Sequence, residues 1–77
     1  MSKRYMQEHN GYKIGDKIEN YEYLWEKGQA EIIDIYEETE IIDIYEETTV
    51  WYVIMWRPYT KAGKISKRGI REFKVTA

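Results

Sequence analysis

The sequence predicts an all-β fold, a small barrel of four to five short antiparallel strands. Three observations predict it. Short runs rich in isoleucine, valine and aromatic residues alternate with polar residues, which is the period of a strand. Glycines and one proline separate these runs. The chain has 77 residues and no cysteine, so one hydrophobic core without disulfides must stabilise a single small domain.

The N-terminal elements follow from this pattern. Residues 1–10 are polar and lack periodicity, so we expect a loose arm there, and residues 11–77 form the single domain. A first strand is predicted to begin near Lys17 and to run towards Tyr23. Residues 25–28 are predicted to form a loop.

The later elements carry stronger signals. Residues 30–36 alternate around an aspartate as a half-buried strand. Residues 50–56 form the strongest β segment, which Pro58 ends. A basic, glycine-containing loop over residues 60–69 then precedes a last strand over residues 70–75.

A nine-residue segment occurs twice in tandem. Residues 31–39 and residues 40–48 both read EIIDIYEET. Identity at every position indicates a young natural duplication or a deliberate insertion, and we favour the insertion. Removing one copy leaves 68 of the 77 residues and removes four acids and no base, so the formal net charge changes from −2 to +2. The acidic balance of the chain is therefore a product of the repeat.

The odd length of the copy limits how it can fold. Side chains alternate faces along a strand, so one straight strand through both copies would bury the isoleucines of only one copy. We expect one copy in the sheet and the other displaced. The second copy is predicted to hold the strand, because a tight hairpin with residues 50–56 forms readily from neighbouring residues. The alternatives are that the first copy holds it, or that both form strands reversing around Glu38 and Thr39.

Three segments resemble the SH3-like small barrels, the group that includes KOW, Tudor and chromo-type modules. They are Gly15-Asp16-Lys17-Ile18 at the first strand, residues 28–33 (GQAEII) at the second and residues 52–56 (YVIMW) in the third. The resemblance spans residues 12–75, except where the repeat interrupts it. It implies a small barrel with one interior and the role of a binding module.

Sequence signatures of catalysis are missing. The chain has no cysteine, no glycine-rich phosphate loop and no Gly-x-Ser-x-Gly motif. Its one histidine, His9, lies in the predicted arm, and the acid pairs at residues 37–38 and 46–47 lack the spacing of a calcium loop. We expect no enzyme activity, no cofactor and no metal site. No apolar run approaches the length of a membrane span, which favours a cytoplasmic protein.

Basic residues are concentrated towards the C-terminus. Between residues 57 and 74 seven bases accompany one acid, whereas residues 19–47 hold eleven acids and one base. Cations interleaved with aromatic side chains are typical of a nucleic-acid surface, although a solvated lysine-rich loop explains the same pattern. The candidate nucleic-acid contacts are Arg57, Lys61, Lys64, Lys67, Arg68 and Arg71.

Aromatic residues give a rival surface. In residues 50–56 the even-numbered side chains are predicted to face one way and the odd-numbered side chains the other, and both faces are apolar. A small barrel has one interior, so the other face is covered by the chain or binds a protein partner. The predicted interaction surface consists of Trp51, Tyr52, Trp56 and Tyr59, and three further aromatic residues could join it: Tyr21, Tyr23 and Trp25. The displaced copy of the repeat is a second apolar segment, which could pair with another chain and give a homodimer by strand exchange.

Overall fold

The computed structural model describes residues 2–77 as strands, tight turns and one longer loop, so the all-β prediction is confirmed. The strands are β1 (Ser2–Met6), β2 (Glu8–His9), β3 (Tyr12–Lys13), β4 (Lys17–Tyr23), β5 (Glu26–Ile42), β6 (Tyr45–Pro58) and β7 (Arg71–Thr76). The predicted strands over residues 17–23, 50–56 and 70–75 match β4, part of β6 and β7. In residues 2–77 no helix is long and apolar enough to cross a membrane.

The seven strands form two sheets. A five-stranded sheet has the order β1-β5-β6-β7, with β4 also paired to β5, and β2 with β3 forms a small separate hairpin. Strand β6 pairs with one edge of β5 from Gly28 to Ile42. The other edge of β5 is shared, because β4 pairs with residues 26–31 and β1 pairs with residues 35–39. All of these pairings are antiparallel.

A β-bulge in β5 sets which side chains point inward. The register between β5 and β6 shifts between Ile32 and Asp34, so Ile33 is the extra residue. Ile32 and Ile35 are three positions apart, an odd spacing, and would otherwise lie on opposite faces. With the bulge, both lie on the inner face, where their exposed fractions are 2% and 0%.

The core lies on that inner face of the sheet. The even-numbered residues of β6 point inward and the odd-numbered residues point outward; the alternation predicted the two sets but not which of them is buried. The β2–β3 hairpin covers one side of the core, since the Tyr52 hydroxyl donates to the His9 carbonyl at 2.9 Å. The buried apolar residues in this cluster are Ala30, Ile32, Ile35, Tyr52, Ile54 and Trp56.

The sheet curls without closing, so the predicted barrel is not formed. Its edge strands β4 and β7 approach each other across the core, where the rings of Tyr23 and Phe73 stack with centroids 4.3 Å apart. Paired strands lie about 4.8 Å apart, and two stacked rings between the backbones hold these edges farther apart than that. Within residues 2–77, β4 and β7 accordingly share no backbone pairing.

The two copies of the repeat occupy different environments, and the prediction that the second copy holds the sheet position is wrong. Residues 31–39 lie entirely in β5, against the core. Residues 40–48 form the tip of the β5–β6 hairpin and are all exposed; we call them the arm. The chain reverses at Asp43 and Ile44, not at Glu38 and Thr39. The arm satisfies its backbone groups by pairing with itself, which an open loop of the same length would not do.

Two local predictions are also corrected. Residues 2–6 are not the loose N-terminal segment that the sequence predicted, because β1 pairs with β5 and Arg4 forms a 2.8 Å ion pair with Glu37. Met1 lies outside the described residues. Residues 25–28 are not a loop either, since a two-residue turn of Leu24 and Trp25 joins β4 directly to β5. Gly28 is then buried in β5, where a Cβ would contact the Arg57 carbonyl and lie 2.8 Å from Trp56 Nε1.

Candidate nucleic-acid interface

A basic loop of residues 59–70 joins β6 to β7 at one end of the sheet. Its backbone is held by its own hydrogen bonds: Thr60 N–H donates to the Lys64 carbonyl at 2.7 Å, and Ser66 N–H donates to the Pro58 carbonyl at 2.8 Å. Gly63 has a φ of 78°, which a glycine adopts without strain. The predicted loop is therefore confirmed as an ordered turn structure on the sheet.

Five of the six predicted cations are presented to solvent by this loop and the strand that follows. They are Lys61, Lys64, Lys67, Arg68 and Arg71, all exposed. Because no acid lies between residues 57 and 71, these charges are not neutralised by a sequence neighbour within that stretch. Their arrangement suits contacts to phosphate oxygens.

Arg57 differs from the other five. It lies in β6, is half-buried, and its guanidinium is 3.2 Å from a carboxylate oxygen of Glu31 on β5. Since this cation already has an acidic partner, it contributes less to binding an external anion. Its contact instead joins the outer faces of β5 and β6 next to the basic loop.

A hydrogen-bond network fastens the loop to β4. The Tyr59 hydroxyl donates to Glu19 at 2.7 Å and accepts the Asn20 N–H at 3.0 Å. The other Glu19 oxygen accepts from Gln29 at 2.7 Å. The hydrogen bond from Tyr59, followed by that from Gln29, lowers the pKa of Glu19 below its ordinary 4.5. Glu19 therefore holds the loop most firmly above that pH, and the contribution is lost as the pH falls through the lowered pKa.

Two members of the predicted aromatic surface belong to the core instead. Tyr52 and Trp56 have exposed fractions of 8% and 3%, and Trp56 Nε1 donates to the Tyr21 carbonyl at 3.0 Å. Their β6 positions face inward, so a partner could not reach them. Tyr59 is half-buried in the network described above, and Trp51 lies on the outer face, where it is also half-buried.

The outer face carries a short aromatic row next to lysines. The rings of Tyr5 and Tyr36 lie 5.5 Å apart, and Trp51 is the cross-strand partner of Tyr36. Lys74 Nζ is 4.4 Å from the centroid of the Trp51 ring, within the range of a cation–π contact. The Trp51 indole N–H is buried, and no acceptor for it occurs in the described residues.

The most exposed aromatic side chain at the basic end is Trp25, which the sequence offered only as an addition to the aromatic surface. Trp25, in the turn between β4 and β5, has an exposed fraction of 91% and Leu24 beside it has 60%. The turn lies at the same end as the basic loop, since Tyr59 N–H donates to the carbonyl of Lys27 at 3.1 Å. No glycine, asparagine or proline occupies this two-residue turn, so the sequence predicted a longer loop over residues 25–28 instead of a tight turn.

No protein-family model, curated protein or solved structure matches the chain. Within residues 2–77 there is also no pocket and no group of three or more potential metal-ligating side chains. The exposed surface at the basic end is therefore the candidate functional site.

Proposed function

We propose that this protein is a non-enzymatic binding module that holds nucleic acid through its basic loop. The supporting observation is the run from residue 57 to residue 71, which has six cations and no acid and exposes five of those cations. Phosphate contacts by lysine and arginine supply most of the sequence-independent affinity for nucleic acid.

The loop geometry favours this role. The internal hydrogen bonds of the loop and the tether from Tyr59 to Glu19 order the backbone before any ligand arrives. Binding then loses less conformational entropy than it would with a free lysine-rich tail. The curled sheet is, on this proposal, an open relative of the SH3-like small barrels, enlarged by the inserted arm and acting in the cytoplasm without a cofactor.

Paired charge removals test the proposal. We expect Lys64→Gln with Lys67→Gln to weaken binding to single-stranded oligothymidylate and to reduce the slope of log affinity against log salt by about 1.4, because each single-strand phosphate contact contributes about 0.7. Lys13→Gln with Lys17→Gln is the matched control, since both lysines are exposed and the change in net charge is identical. Fluorescence anisotropy at several salt concentrations gives both slopes. Equal effects of the two pairs, or no binding at low salt, would contradict the proposal.

A protein-binding role is the second candidate, carried by Trp51 on the outer face. Its buried indole N–H has no acceptor in residues 2–77, so a partner offering a carbonyl oxygen there, after Lys74 moves aside, would satisfy it. Such binding would respond little to salt and would be weakened by Trp51→Phe. Pairing of the arm with a second chain by strand exchange belongs to the same proposal, and sedimentation at high concentration distinguishes monomer from dimer.

A further inference from the structure

The turn of Leu24 and Trp25 is an unusual choice of residues for its geometry. Both have positive φ, 52° and 65°, which is the pattern of a type I′ hairpin turn. Asparagine and glycine adopt that conformation most easily, whereas large side chains are strained in it. The same chain provides the comparison: Asn10 and Gly11 form the turn between β2 and β3, with φ values of 50° and 83°.

Burial does not offset the strain at Leu24 and Trp25. Trp25 is 91% exposed, so its ring adds almost nothing to the core. The flanking strands hold the turn in place, because Tyr23 stacks on Phe73 and the backbone of Gly28 lies against Arg57. Residues whose strained backbone conformation is held in place by the surrounding structure are found preferentially at functional sites.

The position of the turn identifies a chemical class of ligand. β4 ends and β5 begins at the end of the sheet where β6 enters the basic loop. A flat, solvated indole and a set of exposed cations therefore lie at one end of the molecule. Nucleic-acid single strands are bound by that combination, with cations on the phosphates and aromatic faces on unstacked bases.

We propose that Trp25 is a stacking platform for a base of single-stranded nucleic acid whose backbone lies on the basic loop. This inference rests on the proposed function and names its ligand as single-stranded, because a base inside a duplex has no free face. A membrane surface fits less well. Glu22 and Glu26 flank the turn, and their carboxylates would have to enter the lipid headgroup layer together with Leu24 and Trp25.

Grafting the other turn of the chain separates binding from folding. The variant Leu24→Asn with Trp25→Gly copies the pair at residues 10 and 11 and relieves the positive-φ strain, so its thermal midpoint should rise. Its affinity for oligothymidylate should fall by roughly 5- to 150-fold, the effect expected for losing one stacked base. The salt slope should stay unchanged, because the phosphate contacts remain.

Two controls sharpen the result. Trp25→Phe keeps an aromatic face and should retain most of the affinity. Ile44→Ala removes an equally exposed apolar side chain, 94% exposed, from the two-residue turn at the opposite end and should leave binding unchanged. In the unaltered chain, oligothymidylate should quench tryptophan fluorescence, whereas an abasic strand of the same length should not, and Trp25→Phe should abolish the quenching.

Failure of the inference can be told apart from failure of the proposed function. Equal affinity of the grafted variant and the unaltered chain, with Lys64→Gln and Lys67→Gln still weakening binding, would overturn stacking and leave the phosphate contacts in place. No binding of oligothymidylate at low salt would overturn both. Binding to phosphatidylserine vesicles that depends on Trp25, without binding to the oligonucleotide, would overturn both in favour of a membrane surface.

Discussion

The repeat places identical residues in different environments, so the same side chain contributes differently to stability in each copy. Ile35 and Ile44 occupy the same position in their copies, yet their exposed fractions are 0% and 94%. We expect Ile35→Ala to lower the free energy of unfolding by about 2–5 kcal/mol, because it leaves a cavity in the core. Ile44→Ala should change that free energy by no more than about 0.5 kcal/mol.

Urea denaturation of the two variants measures both values. The sequence around each isoleucine is the same for several residues on either side, so local propensity cancels in the comparison. Losses of similar size at both positions would mean that the copies exchange places in the sheet, contrary to the structure.

Among the elements of the fold, the arm is one whose stability is limited by its cross-strand pairs. Glu40 and Glu47 are directly opposed, and like charges in that position repel. Glu47→Lys replaces the repulsion with an attractive pair and should protect the arm amides from hydrogen exchange about 1.5- to 5-fold more, corresponding to roughly 0.2–1 kcal/mol. Global stability should stay almost constant, because the arm opens locally.

Glu46→Lys is the matched control for this prediction. It makes the same change in net charge, but Glu46 is opposite Ile41 and has no charged cross-strand partner. An equal gain in protection for both variants would show that net charge, and not the pairing of Glu40 with Glu47, controls the arm.

Elements with a local signal were predictable from the sequence, and elements fixed by distant contacts were not. The alternation over residues 50–56 gave the strand and the division of its side chains between two faces, but not which face lies inward, because both faces are apolar. Strand β1 was missed because its partners lie 29 to 37 positions away in the chain, including Glu37, which pairs with Arg4. The two copies have the same sequence, so local sequence cannot decide which of them packs against the core. The first copy does so, and it follows closely after Gly28, whose backbone is in close contact with Arg57.

The candidate site was likewise predictable from the sequence only in part. Composition identified the basic loop, since its cations are consecutive in the chain. Composition could not reveal that Arg57 is paired with Glu31 across two strands. Nor could it reveal that Trp25 is exposed in a tight turn, because the conformation of that turn is imposed by the flanking strands rather than by turn-forming residues.

At the scale of the whole molecule, charge is separated along the longest dimension. The molecule extends 53 Å along its principal axis, with the acidic arm at one end of β5 and the basic loop at the other. Residues 28–42 alone span roughly 45 Å at about 3.3 Å per strand residue. The arm therefore acts on an anion at the basic end only through long-range repulsion.

Deleting residues 40–48 should test that repulsion. The formal net charge changes from −2 to +2, while the core, the basic loop and Trp25 are unaltered. Near 0.01 M salt, where the Debye length is about 30 Å, the deletion should tighten oligothymidylate binding severalfold, mainly through a faster association rate. At 0.15 M salt the Debye length is about 8 Å, so the affinities of the two chains should converge. A difference that persists at 0.15 M salt would mean that the arm contacts the ligand or the basic loop directly, and stopped-flow association rates at both salt concentrations distinguish these cases.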